Sequence, residues 1–521
     1  MRIIDFFDRG ANRYPQRVCL KDASGNRSFA QVQRRSCEIA NALLAEKFDP
    51  ETKAAVYSPN CGAAFECVLG ILRAVGAWVP VNARNSVADN AYILDNCDVE
   101  VLFYHSQFEA NLTTFAEQCP KIRKTICIDQ EGAQSPSLAQ FTQGAADRDP
   151  DIRVSRQAIA SIFSSGGTTG RPKGVLWTHL VWETMIANFF HELPVGETPT
   201  HLVVAPMTHA AGGVGMMLMA AGATQVILPG FDAVAVMKAI EREKVTHLFL
   251  PPTAIYMLLA HPDVRKYDYS SLRAFVYAAA PMSVEKLKQC LEIFGPVMAQ
   301  TFGQAEAPMV CTALPPKDHL PEGDSEAQRA QWEERLASCG RPSLFTPVAI
   351  MDDDGKLMPQ GEAGEIVVRG NLVMPGYYKN QAATQEVSTF GWHHTGDIGF
   401  IDGQGYVHIV DRKKDMIISG GFNVYPSEIE QLIWSLPAVQ DCAVVGVPDE
   451  KWGEAVKAVI ELKPGESLDP EQVIALCKEK LGSVKAPKTV EFWDVLPRSP
   501  VGKVRKKDIR DKFWAGATRA I

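Results

Sequence analysis

The segment Ser164-Ser-Gly-Gly-Thr-Thr-Gly-Arg-Pro-Lys-Gly174 follows the apolar run 158–163 and decides how the rest of the chain is interpreted. Its three internal glycines allow a tight turn that brings backbone N–H groups close to an anion. Hydroxyl donors and cations accompany those glycines. These features suit a bound polyphosphate and select the candidate binding residues Ser165, Gly166, Gly167, Thr168, Thr169, Gly170 and Lys173.

This segment does not match the Walker A pattern, in which Gly-Lys is followed directly by Ser or Thr. Arg171 and Pro172 interrupt the pattern, and Lys173 is followed by Gly174. A P-loop kinase is therefore disfavoured. A loop of Ser, Thr and Gly alone would be typical of a flexible surface turn, but the ordered Gly-Arg-Pro-Lys-Gly ending favours phosphate binding.

Short β-branched runs alternate with longer helical patterns on both sides of this loop. Alternation of this kind is typical of an α/β fold with largely parallel sheets. The strand–helix pairs are 54–57 with 64–75, 225–228 with 233–244, and 246–250 with 254–259.

The chain changes character after residue 315. Residues 315–339 are polar, which predicts an exposed insertion or surface helix, and short runs at 348–351, 364–369 and 405–410 predict an antiparallel subdomain, a small β-barrel. The charge run 411–415 follows, and a fresh α/β pattern starts beyond it. A boundary at Lys413–Lys414 thus divides an N-terminal domain, 1–413, from a compact C-terminal domain, 414–521.

Composition restricts the function classes. The chain has 521 residues, 46% hydrophobic and 22% charged, with a net charge of −8, which argues against nucleic acid as a partner. The most apolar stretch, 216–228, is too short to span a bilayer, so membrane insertion is not expected. Twelve scattered cysteines without a C-x-x-C pair indicate reduced thiols in a cytoplasmic enzyme.

The loop resembles the signature of the adenylate-forming superfamily, which includes acyl-CoA synthetases, aryl-CoA ligases, luciferases and the adenylation domains of peptide synthetases. The usual opening is Thr-Ser-Gly-Thr-Thr-Gly; here Gly166 stands in place of the second hydroxyl residue, which removes one possible phosphate contact. Further segments match in the family's order over nearly the whole chain. The resemblance implies a large N-terminal domain with two parallel-type sheets and a small barrel, and a small mobile C-terminal domain.

The same resemblance implies an ATP-dependent acid–CoA ligase. Such an enzyme converts a carboxylic acid and ATP into acyl-AMP and pyrophosphate, then transfers the acyl group to coenzyme A and releases AMP. The small C-terminal domain rotates between the two steps.

Two N-terminal segments resemble the family's nucleotide site. Tyr277-Ala-Ala-Ala-Pro281 resembles the strand end beside the adenine and the acyl pocket, which implies roles for Ala279, Ala280 and Pro281. Phe302-Gly-Gln-Ala-Glu306 resembles the Tyr-Gly-x-Thr-Glu motif, which places Phe302, Gly303, Gln304 and Ala305 at the nucleotide. Glu306 would hold Mg²⁺ near the phosphates, while Ala305 lacks the usual hydroxyl.

Three further residues complete the implied nucleotide and acid sites. Asp397, within His394-Thr-Gly-Asp397, would accept hydrogen bonds from both ribose hydroxyls, and Arg412 would also reach the ribose. His209 matches the residue that lines the acyl pocket near the reacting carboxylate. Any one of them alone would more often be a turn or packing residue, but together they favour the site.

The C-terminal segments resemble the mobile catalytic parts of the family. Lys503 matches the catalytic lysine, a point charge between the attacking carboxylate and the α-phosphate. Lys414 matches the hinge, and Gly420 with Gly421 matches the loop that forms the pantetheine tunnel. Trp452 resembles a residue that stacks near the CoA adenine, and two lysines, Lys485 and Lys488, would meet the CoA phosphates.

Several alternatives stay open at this point. The acyl acceptor could be a carrier-protein thiol instead of CoA, and a non-catalytic nucleotide-binding homologue would share the fold. Residues 210–213 and 278–280 suggest a roomy apolar pocket for a fatty, aryl or alicyclic acid. The oligomeric state, including a homodimer, is also open.

Overall fold

A computed structural model describes residues 1–165, 171–449, 451–498 and 504–515. These ranges contain sixteen α-helices and twenty-five strands. The helices are α1 Ile3–Arg13, α2 Phe29–Ala45, α3 Gly62–Arg73, α4 Val87–Asn96, α5 Leu112–Gln118, α6 Leu138–Phe141, α7 His179–Glu192, α8 Ala210–Met219, α9 Ala233–Glu243, α10 Pro252–Leu259, α11 Val284–Phe294, α12 Glu326–Leu336, α13 Gln381–Glu386, α14 Pro426–Trp434, α15 Pro470–Lys485 and α16 Lys506–Phe513.

The strands alternate with the helices through most of the N-terminal part. They are β1 Val18–Asp22, β2 Gly25–Ser28, β3 Lys53–Ser58, β4 Ala77–Asn82, β5 Val99–Tyr104, β6 Lys124–Cys127, β7 Ile159–Ser164, β8 Gly174–Thr178, β9 Thr200–Val203, β10 Thr224–Ile227, β11 His247–Leu250, β12 Ala274–Tyr277, β13 Met298–Gln304, β14 Ala307–Leu314, β15 Arg341–Pro342, β16 Val348–Met351, β17 Gly364–Val368, β18 Ser388–Thr389, β19 Trp392–Ile401, β20 Val407–Arg412, β21 Ile417–Ser419, β22 Phe422–Val424, β23 Val439–Asp449, β24 Gly453–Leu462 and β25 Thr489–Phe492.

Two large sheets form the N-terminal part. The nine-stranded sheet has the order β15-β14-β13-β12-β11-β9-β10-β1-β2, and the six-stranded sheet has the order β6-β5-β3-β4-β7-β8. Strands β13 to β1 of the first sheet and β6 to β7 of the second run parallel, while β14, β15 and β2 of the first sheet and β8 of the second pair antiparallel. The predicted α/β class is confirmed, and the sheets are mixed at their edges.

Helices lie between the two sheets and cover their outer faces. Alternate residues of each central strand point to opposite faces. Val56 and Val276 belong to the shared core that includes α3, α7 and α8, whereas Tyr57 and Tyr277 pack against the outer helices. Both faces are buried, so the strands are nearly continuous apolar runs.

Two smaller sheets follow. An antiparallel sheet has the order β16-β17-β19-β18 with β20 also on β19, as the sequence predicts for the antiparallel subdomain. The last sheet, β22-β21-β24-β23 with β25 on β24, packs its apolar face on α14 and α15. The polar segment 315–339 contains the exposed helix α12, which begins with a capping box between Ser325 and Gln328.

The strand predicted at 405–410 is displaced in the structure to Val407–Arg412. The cause is the cross-strand pair Asp397–Arg412, which extends the antiparallel register into the charge run. Opposite charges on facing strands stabilise such a pair, and the charge run therefore belongs partly to the strand.

No helix in the described ranges is both long and apolar enough to cross a membrane.

Close backbone packing holds α1 against α8, the helix that follows His209. A Cβ on Gly10 would lie 2.0 Å from the carbonyl oxygen of Met219. We expect Gly10→Ala to force the helices apart and lower the free energy of unfolding by about 1–3 kcal/mol. The thermal midpoint should fall accordingly, whereas Asn12→Ala, on the exposed side of α1, should leave it unchanged. An unchanged midpoint for Gly10→Ala would refute this packing.

Candidate active site

The phosphate loop connects two antiparallel strands, β7 and β8. Ser165 N donates to Lys173 O at 2.8 Å, and Lys173 N donates to Ser165 Oγ at 3.0 Å. These reciprocal bonds close the base of the loop and hold the Ser165 hydroxyl in place. The predicted contacts at residues 166–170 (Gly166, Gly167, Thr168, Thr169 and Gly170) lie outside the described residues.

Tyr377 links this loop to the predicted metal-binding carboxylate. Its hydroxyl donates to Glu306 Oε1 at 2.8 Å, and Lys173 Nζ lies 4.7 Å from the centroid of its ring. Burial, together with the Glu306 charge, raises the pKa of Tyr377, so the hydroxyl stays protonated and remains a donor. The sequence placed Lys173 and Glu306 in one site, and the structure brings both to the same tyrosine.

The segment Phe302–Glu306 is held by backbone hydrogen bonds. Trp177 Nε1 donates to Ala305 O at 2.7 Å, and Met374 N donates to Glu306 O at 2.8 Å. Gly303 is required here because a Cβ would lie 2.5 Å from Met309 N. The Glu306 carboxylate, which is 8% exposed, is thereby fixed at the turn between β13 and β14.

The alanine segment lies at the carboxyl end of β12, beside β13. Ala279 adopts a positive φ of 77°, which is uncommon for a residue with a Cβ and costs about 1–3 kcal/mol. Ala279 and Pro281 are exposed, and Ala280 is half-buried. Strain at an exposed strand end is typical of a ligand-binding position.

The antiparallel register of β19 and β20 places Asp397 opposite Arg412. Arg412 Nε lies 2.7 Å from Asp397 Oδ1, and the aspartate is buried. Gln304 Nε2 donates to Thr395 O at 3.3 Å, so the Phe302–Glu306 segment adjoins the strand that carries Asp397. The predicted nucleoside residues are thus close together in space.

His209 is exposed and directly precedes α8. Its Nδ1 lies 3.0 Å from Thr208 Oγ1. A cavity of about 290 Å³ lies beside this segment, lined by Thr208 and Gly212. Gly212 is one of the residues 210–213 from which the sequence predicts an apolar pocket, whereas the alanines 278–280 of that prediction do not line this cavity.

The connection to the C-terminal part runs through Lys414. Burial lowers the pKa of Lys414, and the charge of Asp415 opposes that shift. Arg510 on α16 lies 3.3 Å from Asp415, and Ser427 N at the start of α14 donates to Asp411 Oδ2 at 2.8 Å. Charged contacts therefore flank Lys414 on both sides.

Trp452 packs directly over the glycine pair. Gly420 and Gly421 have φ values of 58° and 82°, and a Cβ on Gly420 would lie 2.5 Å from the indole. Gly420 N donates to Trp452 O at 2.8 Å, and the indole is 41% exposed. The Gly420–Gly421 turn and Trp452, which the sequence separately predicts to contact coenzyme A, therefore form one continuous surface.

The basic residues near this surface have protein partners. Lys485 Nζ lies 2.7 Å from Glu428 Oε2, and Lys488 Nζ donates to Ser483 O at 2.6 Å. Binding of CoA phosphates by these lysines would therefore require exchange of existing contacts.

Lys503 lies outside the described residues, but its neighbours are placed. Arg498 pairs with Val504 across an antiparallel bridge, and Arg498 also forms ion pairs with Asp441 and Glu461. Lys506 Nζ lies 2.8 Å from the buried Glu430. The described residues on either side of 499–503 are thus held by the C-terminal sheet, through Arg498, and by α14, through Lys506.

No cluster of three or more His, Cys, Asp or Glu side chains in the described part of the chain could hold a metal ion by itself. Glu306 nevertheless fits Mg²⁺, which typically takes one or two carboxylates together with substrate phosphates and water. Tyr377 occupies one Glu306 oxygen, and no described residue donates to the other. Eleven of the twelve cysteines are buried, and Cys61 is half-buried.

Sequence reasoning missed Tyr377 and Trp177. Tyr377 contacts Glu306, which is 71 positions earlier in the chain, and Trp177 contacts Ala305, which is 128 positions later. The Gly376-Tyr377-Tyr378 triplet is a turn-like pattern with aromatic residues, but nothing in it indicates a partner.

Comparison with known proteins agrees with this geometry. The family "AMP-binding enzyme" matches residues 7–378, and "AMP-binding enzyme C-terminal domain" matches residues 428–503. A feruloyl-CoA synthase from Amycolatopsis sp. is 34% identical over 97% of this chain and 98% of its own length. The medium/long-chain-fatty-acid–CoA ligase FadD8 of Mycobacterium tuberculosis is 37% identical over 84% of this chain and 77% of its length.

A solved structure is similar over nearly the whole chain. The amide bond synthetase McbA from Marinactinospora thermotolerans has a TM-score of 0.88 and 29% identity, covering 98% of this chain and all of the other. With the two curated relatives, this likeness shows that the chain belongs to the AMP-binding enzyme family and is an adenylate-forming enzyme of the AMP-forming acid–CoA ligase type.

Proposed function

We propose that this protein is an ATP-dependent acid–CoA ligase that acts on a hydrophobic carboxylic acid. One observation carries the proposal: the base of the phosphate loop, the Glu306 carboxylate and the Asp397–Arg412 pair lie close together on neighbouring segments. These are the groups needed to bind the phosphates, the metal and the ribose of one nucleotide.

In the first step, the acid's carboxylate oxygen attacks the α-phosphorus of ATP, and the bond to pyrophosphate breaks. A carboxylate is already a nucleophile, so the residues need only position and stabilise charge. Lys503 would bring the two anions together, and Asp397 would orient the ribose. Bound Mg²⁺ would neutralise phosphate charge, and Glu306, aligned by Tyr377, would hold it.

In the second step, the thiol sulfur of coenzyme A attacks the acyl carbonyl, and AMP leaves. The Gly420–Gly421 turn under Trp452 is suited to an extended pantetheine arm, since it presents backbone without side chains. We propose that residues 414–521 rotate as a unit about Lys414 relative to residues 1–413, so that this turn replaces Lys503 at the acyl-adenylate.

The relatives support a broad class of acid. Their names include a feruloyl, a fatty-acyl, an indoleacetate and an octahydroindenyl-propanoyl substrate, so fatty, aryl and alicyclic acids all belong to the proposal. An acid panel assayed by pyrophosphate release tests it. Absence of pyrophosphate with every acid would reject the function and favour a non-catalytic nucleotide-binding homologue.

The likeness to an amide bond synthetase supports a second candidate, transfer of the acyl group to an acceptor other than CoA, such as a carrier-protein thiol or an amine. Mass spectrometry of the product formed with and without CoA separates the two. An acyl-CoA product supports the ligase; acyl-AMP that persists in the presence of CoA supports the other acceptor.

We expect Lys503→Ala to abolish adenylate formation, because the attacking carboxylate and the α-phosphate would then repel each other without compensation. Thioester formation from supplied acyl-adenylate should continue. The matched control is Arg505→Ala, which removes an exposed cation two residues away whose guanidinium pairs with Asp508. Equal loss of both half-reactions in Lys503→Ala would contradict this role.

We expect Lys414→Pro to suppress mainly the second half-reaction, because proline fixes φ at the proposed hinge. Lys414→Ala is the control, since it removes the ammonium group but leaves the backbone free. Pre-steady-state measurement of acyl-AMP and acyl-CoA separates the two steps. A selective loss of adenylation in Lys414→Pro would argue against a hinge at this residue.

A further inference from the structure

The turn that carries Asp397 is a bulge within β19. The register between β17 and β19 shifts at this point, so that three residues of β19, 395–397, lie opposite a single residue of β17, Ile366. Thr395 Oγ1 donates to Ile366 O at 2.7 Å and accepts from Asp397 N at 3.1 Å. Bulges re-aim side chains and are common beside active sites. The direction of the Asp397 carboxylate therefore depends on the groups that fix this bulge.

Glu365 holds the bulge from β17. Its Oε1 accepts from Gly396 N at 2.9 Å, and its Oε2 lies 3.0 Å from His394 Nδ1. A carboxylate oxygen only accepts hydrogen bonds, so His394 carries a proton on Nδ1. Gly396 has a φ of 72°, a left-handed conformation that residues with a side chain rarely adopt. One carboxylate thus binds the residues on both sides of Thr395.

Lys413 closes a hydrogen-bonded ring with these two residues. Lys413 N donates to Gly396 O at 2.8 Å, and Lys413 Nζ donates to Glu365 Oε2 at 3.2 Å. The N–H of Gly396 is thereby bound by Glu365, and its carbonyl is bound by Lys413. Because Lys413 directly precedes Lys414, the bulge is held from β17 on one side and from the connection to the C-terminal part on the other.

The partners of Glu365 keep it charged. The residue is only 8% exposed, and a buried charge needs partners that replace water. Burial raises the pKa of Glu365, but the hydrogen bond with His394 and the charge of Lys413 outweigh burial, so the pKa lies below its usual value. Hydrogen bonds to an ionised acceptor are roughly twice as strong as those between neutral groups. The ring is therefore a rigid support for Gly396.

We propose that Glu365, together with Lys413, is a positioning residue for the ribose of the nucleotide. The two residues hold Gly396, and through it they hold the Asp397 carboxylate in the geometry that accepts hydrogen bonds from the ribose hydroxyls. Asp397 contacts the nucleotide, and Glu365 acts only through Asp397. This inference rests on the proposed ATP-dependent function and deepens it, since it assigns the selection of a ribonucleotide to a second carboxylate behind the first.

Discrimination between ATP and 2′-deoxyATP tests the inference. In the pyrophosphate assay with an accepted acid, the wild-type enzyme should prefer ATP in kcat/KM by about 10-fold or more, as expected for one hydrogen bond to a charged acceptor. Glu365→Ala should lower this ratio toward one through a raised KM for ATP, with the KM for the acid unchanged. A merely structural role would reduce the folded fraction and so the activity on both nucleotides equally. An unchanged ratio in Glu365→Ala would overturn the proposal.

Two milder variants separate the contacts of the ring. Glu365→Gln keeps an acceptor for Gly396 N but loses the charge that pairs with Lys413. Lys413→Met keeps the backbone N–H that donates to Gly396 O but loses the ammonium group. Each variant should have a nucleotide preference between those of the wild type and Glu365→Ala, and the double variant should be no worse than either single variant, since both remove one ion pair. Effects that multiply in the double variant would refute the ring.

Asp353→Asn and Glu66→Ala are the matched controls. Asp353 is the other partner of Lys413, at 2.6 Å, and its side chain is 86% exposed. Glu66 is a buried carboxylate on α3 that lies 3.6 Å from Arg27. Asp353→Asn should leave the nucleotide preference intact, and Glu66→Ala should lower the thermal midpoint without a change in that preference. A fall in Glu66→Ala as large as in Glu365→Ala would assign the effect to stability and overturn the proposal.

Direct binding separates this inference from the proposed function. Titration calorimetry with ATP and with 2′-deoxyATP, without any acid, measures the same preference in the absence of catalysis. If no acid gives pyrophosphate, the proposed function is rejected, but a binding preference that Glu365→Ala abolishes would still support the inference. Equal binding of the two nucleotides by the wild-type protein would overturn it. If Glu365→Ala fails to fold, Glu365→Gln and Lys413→Met decide, since wild-type preference in both would also overturn it.

Discussion

Repulsion between like charges is the constraint on which the rest of this site depends. The proposed reaction brings a carboxylate to a triphosphate, next to two carboxylates of the protein, Glu306 and Asp397, in a chain with a net charge of −8. Two unit charges 4 Å apart interact by about 4 kcal/mol at an effective dielectric constant of 20. Cations must therefore lie close to these carboxylates. Arg412 pairs directly with Asp397, and Lys173 lies over the ring of Tyr377, whose hydroxyl donates to Glu306.

Lys414, at the proposed hinge, is partly buried among charged groups. Burial lowers its pKa because the ammonium loses solvation, whereas Asp415 favours the charged form. Asp415 also pairs with Arg510, which attaches the connection to α16 near the segment of Lys503. A rotation about Lys414 would exchange contacts of this kind, worth about 1–3 kcal/mol each. Such energies allow two arrangements of similar stability to interconvert.

The sequence predicted those parts of the fold that follow from local pattern. The β-α alternation, the exposed helix within 315–339 and the glycine-rich loop after an apolar run depend on short-range periodicity and turn chemistry. The meeting of Asp397 and Arg412 follows from an antiparallel hairpin, since fifteen residues separate them around one turn. The end of β20 was missed because charge normally marks a loop, and only the cross-strand partner explains why the strand continues.

Contacts between residues far apart in the chain have no such local sequence pattern. Tyr377 meets Glu306, and Trp177 meets Ala305, because three different elements converge at the carboxyl ends of β12 and β13. The apolar pocket around His209 stays a prediction for a related reason. Alanines and glycines around His209 indicated space, but space depends on what packs opposite each residue, and Gly213 faces Met309 while Gly212 faces the Met207 segment.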